Sequence, residues 1–170
     1  MNDLDFERFQ VKNGNEKIIS NGEKLDHKLI EFWRWSSSDL LSNATRGIFA
    51  EYIVAIAMDI NLYFVREEWG EYDLEALDKN DIIKIEVKSS SYLQTWDQKD
   101  YSKIIFSIRK RGTTSVKTKK NELNRPSDIY VFCLLNHKNK ETVNPLNMDQ
   151  WIFYVLATKN INEITSVQNR

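Results

Sequence analysis

Apolar residues Ile48, Phe49, Tyr52, Ile53, Ile56 and Ile60 recur at offsets of three and four, the spacing of one stripe on an amphipathic helix, and this predicts a helix over residues 43–59. Ahead of it, the aromatic run LIEFWRW from Leu29, followed by the cap-forming residues Ser36, Ser37, Ser38 and Asp39, predicts a shorter helix. After it the period changes. Tyr63–Val65 reads as a short strand, and EYDLEAL (71–77) and IIKIEVKS (82–89) read as longer strands joined by the turn-forming DKND. KIIFSI (103–108), IYVFCLL (129–135) and WIFYVLA (151–157) are further strands, the last two continuous enough in apolar residues for burial on both faces. A short helix after Thr158 closes the pattern. Residues 1–30 are polar and mixed, punctuated by Gly14 and Gly22, and read as an N-terminal arm with one short strand. Helices interleaved with buried strands predict an α/β domain, a mixed central β-sheet flanked by helices.

Composition narrows the class without changing this outline. With 170 residues, 41% hydrophobic and 29% charged, the chain has the makeup of one globular domain spanning 1–170. The lone Cys133 has no partner for an internal disulfide, and MNDLDFERFQ lacks the basic and apolar regions of a secretion signal, which points to a cytoplasmic protein. The longest apolar stretch, 49–60, is interrupted by Glu51 and Asp59 and falls short of the about 20 residues that span a bilayer, so no membrane anchor is expected. Walker, G-x-G-x-x-G and G-x-S-x-G patterns are missing, and with them the usual signatures of nucleotide hydrolysis and serine acyl transfer.

Candidate chemistry emerges when 71–88 is folded as a hairpin around Lys79 and Asn80. Tyr72 then faces Val87, Leu74 faces Ile85 and Ala76 faces Ile83 on one apolar side. On the other side Glu75 meets Lys84, Glu71 meets Lys88, and Asp73 meets Glu86. Two carboxylates set across from each other are destabilising unless a cation lies between them, and a divalent metal is the natural occupant. Hard oxygen ligands from one or two carboxylates, completed by water and phosphate, are the habit of Mg²⁺. Lys88, two residues past Glu86, projects from the same face, where it can orient a nucleophile and offset charge on a phosphate.

RGIFAEYIVA (46–55), YDLEA (72–76) and IKIEVKSS (83–90), with 22 residues from Glu51 to Asp73 and 13 from Asp73 to Glu86, resemble the PD-(D/E)xK nuclease superfamily. The pattern looks like the branch that includes the Holliday-junction resolvases, in which a helix glutamate precedes the aspartate and the E-x-K. Longer stretches, among them FWRWSSSDLLSNATRG and DQWIFYVLAT, are also similar to a bacterial family without an assigned function. The resemblance implies a restriction-endonuclease-like fold and hydrolysis of DNA phosphodiesters with Mg²⁺ or Mn²⁺. It makes Asp73, Glu86 and the Val87 carbonyl metal ligands, Glu51 the helix acid completing or bridging a second metal position, and Lys88 the catalytic lysine. The superfamily's proline before the aspartate is Tyr72 here. Gly47 and Ala55, one turn to either side of Glu51, would let the helix approach the sheet.

Charge supplies a second pointer. Between Gln98 and Arg125 nine basic residues, Lys99, Lys103, Arg109, Lys110, Arg111, Lys117, Lys119, Lys120 and Arg125, stand against Asp100 and Glu122, a net of +7 in a chain of net −1. Such a window is either a solvated basic loop or a site for a polyanion such as DNA, where cations gain affinity by displacing phosphate counterions. Gln94 matches a glutamine that some branches place near DNA or metal, and reads otherwise as a polar loop residue. Ser89, Ser90 and Ser91 would donate to phosphate or end their strand, Tyr92 and Trp96 would stack on bases or cap a core, and Arg46 would brace Glu51 or Asp73 or touch DNA. Trp33, Trp35, Trp69 and Trp151 read as packing residues, and His27, His137 and Cys133 carry no chemistry. Cutting both DNA strands calls for two such sites, which a homodimer would supply. The competing readings are a nucleic-acid-binding or protein-interaction module that keeps the nuclease fold without turnover.

Overall fold

In the computed structural model, residues 10–114 and 121–168 are described. The chain begins with a hairpin of β1 (Lys17–Ser20) and β2 (Glu23–Lys28), so the arm holds two strands where one was expected. Asn21 and Gly22 both have positive φ, 50° and 82°, the backbone that Asn-Gly adopts cheaply between tightly turned strands. Helix α1 (Leu29–Ser37) follows directly, anchored to the preceding segment by Leu29 N–H to the Glu16 carbonyl (2.9 Å) and Ile30 N–H to that of Gly14 (3.0 Å).

Helix α2 (Asn43–Ala57) has defined ends for local reasons. Ser42 caps it by accepting the Thr45 amide, while Asp39 accepts the amides of Leu41 and Ser42 and fixes the approach. At the other end Asp59 takes a left-handed φ of 54°, its amide bonding the Ile56 carbonyl and the Ile60 amide that of Ala55, the paired bonds of a Schellman stop. The expected apolar stripe is divided between two sides. Ala50, Ile53 and Val54 are buried, whereas Ile48, Tyr52 and Ile56 are about half exposed. With apolar residues nearly all round, periodicity alone does not say which side faces the core.

Four strands form the central sheet in the order β3 (Leu74–Asp78), β4 (Asp81–Ser91), β7 (Ile129–Leu135), β8 (Trp151–Ala157), with β3/β4 and β7/β8 antiparallel and β4/β7 parallel. Strands β5 (Arg111–Thr114) and β6 (Asn121–Asn124) pair as a separate hairpin, and α3 (Thr158–Gln168) follows β8. The result is the mixed α/β sheet that the sequence predicted. Alternate residues send Ile85, Val87, Val131, Cys133 and Leu135 against α2, while Tyr130 and Phe132 on the opposite face meet Ile161 of α3 and Phe106 and Ile108 of the crossover. Ser127 and Asp128 lock the corner. Asp128 accepts the Lys84 amide and donates its own to the Lys84 carbonyl, and Thr158 closes on the carbonyls of both corner residues.

Several expected features differ. No strand forms at 63–65, because the left-handed stop of α2 turns the chain out into an exposed loop. Residues 103–108 alternate inward and outward as a strand would but join no ladder, lying across the sheet instead, with Phe106 5.1 Å from Phe132 between ring centroids. Strand β7 is buried on both faces as predicted. Strand β8 is not: it is an edge strand, and between Trp151 and Ala157 all five residues are exposed. Trp151 packs in the core, but Trp35 and Trp69 are 84% and 93% exposed.

Gly47 does not bring the helix close to the sheet either, since a Cβ placed there would meet nothing within 4 Å; Ala50 and Ala55 are the buried small residues. Gly47→Ala should therefore stabilise the protein by about 0.5–1 kcal/mol in urea unfolding through reduced unfolded-state entropy, and a loss of stability would show a close contact at this position.

Candidate active site

The site is a fork between two strands. Their register is the one read from the numbering, with Leu74 opposite Ile85, Glu75 opposite Lys84, Ala76 opposite Ile83 and Asp78 opposite Asp81 about the turn at Lys79, whose φ is 57°. The ladder then stops at Leu74. Tyr72 and Glu71 do not continue it: the Tyr72 hydroxyl donates to Glu75 and its ring lies under Lys84, while Lys88 pairs with Glu86 and not with Glu71.

Asp73 stands at the divergence. Its amide still donates to the Ile85 carbonyl (3.0 Å), but its side chain turns back and Oδ2 accepts the Val87 amide at 2.8 Å, replacing the missing strand partner. Amide and carbonyl of one strand residue point to the same edge, so the Val87 carbonyl also faces the side that β3 has vacated. Burial raises the Asp73 carboxyl above its ordinary range, and the charges of Glu86 and Glu51 push the same way, against the Val87 hydrogen bond and Lys88.

Glu86 and Lys88 project from the same face of β4, as expected. Glu86 is only 2% exposed, paired through Oε1 with Lys88 Nζ and accepting at Oε2 from Ser127 Oγ (3.3 Å). Glu51, on α2, is near enough to Asp73 for their charges to repel, and its carboxylate is held by Arg66, Nε bonding Oε2 and Nη2 bonding Oε1 at 2.8 Å. Arg66 was not singled out in the sequence. It lies in a loop of no fixed pattern seven residues before Asp73, and Ser127 precedes β7 with equally little local signal. The basicity of Arg66 is raised by this contact with Glu51.

Other expected positions fall elsewhere. Arg46 braces neither Glu51 nor Asp73: it is buried, donating to the Leu41 carbonyl (2.8 Å), Asn43 Oδ1 (2.6 Å) and Gln94 Oε1 (3.5 Å). Gln94 is buried with it, its amide nitrogen donating to the Ser91 carbonyl and Ser102 Oγ. Ser89, Ser90 and Ser91 are the last residues of β4 and so end their strand, with Ser90 and Ser91 buried. Tyr92 lies beneath Lys138, whose Nζ is 4.4 Å from the ring centroid, while Trp96 is exposed. Lys99, Lys103, Arg109 and Lys110 are exposed; Arg111 opens β5 with its side chain outside the described part, and Lys117, Lys119 and Lys120 lie outside the described residues. Arg125 turns inward to the Ile108 carbonyl (2.9 Å) and Asn162.

Asp73, Glu86 and the Val87 carbonyl are the oxygens here that could hold a hard cation. Among the described residues no three His, Cys, Asp or Glu side chains form a cage, and Asp73 has no cation at salt-bridge distance. Two carboxylates and a backbone carbonyl, with the remaining positions left to water, match the way proteins hold Mg²⁺.

The family model for bacteriophage T4 endonuclease IV matches residues 6–168, nearly the whole chain. The chain belongs to that family. Comparison with curated proteins and comparison with solved structures each gave no match. Within this endonuclease family member, the matched span includes Glu51, Asp73, Glu86 and Lys88 together. Among the described residues no helix is long and apolar enough to cross a membrane.

Two consequences follow from the charges. An acid whose folded-state pKa is raised keeps its full stability contribution below its ordinary value of 3.8 and loses it as pH rises through the raised value. Asp73→Asn, which still accepts the Val87 amide, should thus unfold at higher urea than wild type at pH 7, with the two converging in acid; equal midpoints across the range would contradict the burial of an ionised Asp73. Arg66→Ala should cost about 1–2 kcal/mol, less than a fully buried pair because the Arg66 side chain is 35% exposed, and Glu51→Gln in that background should recover part of the loss. Additive losses in this cycle would mean that the pair carries no coupling.

Proposed function

We propose that this protein is a metal-dependent endonuclease that hydrolyses DNA phosphodiester bonds at the β3/β4 fork, with the acid–acid–lysine arrangement of the PD-(D/E)xK enzymes. The observation that carries the reading is the convergence of Asp73, Glu86 and Lys88 at one uncovered sheet edge, in a chain belonging to an endonuclease family. Asp73, Glu86 and the Val87 carbonyl would hold Mg²⁺ or Mn²⁺, with Glu51 available to complete or bridge a second position. The metal supplies Lewis-acid activation of water and neutralises charge on the scissile phosphate. Lys88 Nζ, held beside Glu86, orients the attacking water and stabilises the negative charge that builds on the phosphoryl oxygens. Ser127 fixes the Glu86 carboxylate, and the Asp73–Val87 hydrogen bond fixes the angle of Asp73. The exposed Lys99, Lys103, Arg109 and Lys110 support a role in holding the DNA backbone in the cytoplasm, where such a substrate is found.

Glu51 is clamped by Arg66, and this favours one alternative, a DNA-binding module in which the acids serve as structural ion pairs. Cleavage of supercoiled and branched DNA with Mg²⁺ or Mn²⁺ separates the two. The endonuclease reading predicts nicking that disappears with EDTA and in Asp73→Ala, and falls at least about 100-fold in Lys88→Ala. Salt-sensitive DNA binding without cleavage by the folded wild type would support the module instead.

A further inference from the structure

The two edges of the central sheet are built differently. Edge strand β3 is five residues long and carries Glu75 and Asp78, charges of the kind that keep an edge from pairing with another chain. Edge strand β8, WIFYVLA, runs seven residues with no charge, no proline and no interruption of its ladder with β7. Its residues 152–156 are 36% to 62% exposed. The apolar surface extends onto α2 through a run of ring contacts, Phe153 to Trp151 (6.2 Å), Trp151 to Phe49 (6.5 Å) and Phe49 to Tyr52 (6.2 Å), ending in the outward stripe of Ile48, Tyr52 and Ile56. At their exposed fractions, residues 152–156 and the three stripe residues present on the order of 800 Å², what each partner gives to a standard protein–protein interface.

We infer that β8 pairs antiparallel with β8 of a second copy of this chain, joining two sheets into one of eight strands. The strand fits itself. Full overlap places the two-fold axis at the central Tyr154, opposite its counterpart, sets Phe153 across from Val155 and Ile152 across from Leu156, and matches the large Trp151 with the small Ala157. Aromatic with β-branched, and aliphatic with aliphatic, are favourable cross-strand partners, and no like charges meet. An axis perpendicular to the sheet keeps both α2 helices on one face, so the two apolar stripes flank the same seam. The register also fixes where the sites fall: Lys88 lies opposite Phe132, and Phe132 opposite Tyr154, so both Lys88 residues share the row that crosses the axis. Five strand spacings separate them, about 24 Å, on one face of the joined sheet. This last consequence rests on the proposed nuclease reading; the dimer itself does not.

Sedimentation equilibrium of the full chain, with cysteine cross-linking, tests the pairing apart from activity. Wild type should sediment at twice the chain mass, and Val155→Lys should shift to the monomer while keeping its far-ultraviolet spectrum and a cooperative melt. Tyr154→Cys should form a disulfide-linked dimer under mild oxidation, since directly opposed strand residues lie within bridging distance, whereas Ile152→Cys should not, being far from its own copy. The native Cys133 is fully buried and stays out of the reaction. A monomeric wild type at about 100 µM, or a dimer indifferent to Val155→Lys that gives no Tyr154→Cys bridge, would overturn the inference.

Discussion

Where β3 parts from β4, the Val87 amide would face an uncovered sheet edge, and a buried amide without a partner costs about 1–3 kcal/mol. Asp73 takes the vacant place with its side chain, accepting that amide at 2.8 Å. One hydrogen bond thereby ends the ladder, opens the fork and aims a carboxylate at Glu86. The rest of the site depends on this substitution of side chain for strand, because it is what brings a second acid to an edge that β7 and α2 have already made rigid on its other sides.

The electrostatics follow from that placement. Glu86 has Lys88 and Ser127, and Glu51 has Arg66, but Asp73 is half-buried beside both with a raised pKa and only an amide to satisfy it. A fold optimised for stability alone would not keep an acid there. On the proposed metal-dependent reading, the acid left over is where a cation would enter, and the Val87 carbonyl would add a neutral oxygen at the same edge.

Much of this could be read from the residues in order. The β3/β4 register followed from a hairpin around two residues, since the side-chain period of two leaves little choice once one face is apolar. Interior strand β7 announced itself by a continuous apolar run. The same signal misled at β8, where seven apolar residues sit on an edge; a run of this kind reports that a strand avoids water, and does not distinguish cover by its own chain from cover by another. The stripe of α2 failed for a related reason, being apolar on nearly every side. Arg66 and Ser127 were illegible, because each acts through a partner far away in sequence and lies outside any periodic element; the inward turn of Arg46 and Gln94 was illegible because a polar residue at a helix start or in a loop gives no signal of which way it faces.

If the protein is a metal-dependent nuclease, Asp73, Glu86 and Val87 form one cation site. Crystals grown with Mn²⁺ would settle the matter through the anomalous signal of the metal. A peak in contact with both carboxylates and the Val87 carbonyl, lost in Asp73→Asn crystals, is the expected result; saturating Mn²⁺ with no peak at the fork, and Glu86 still paired with Lys88, would contradict it.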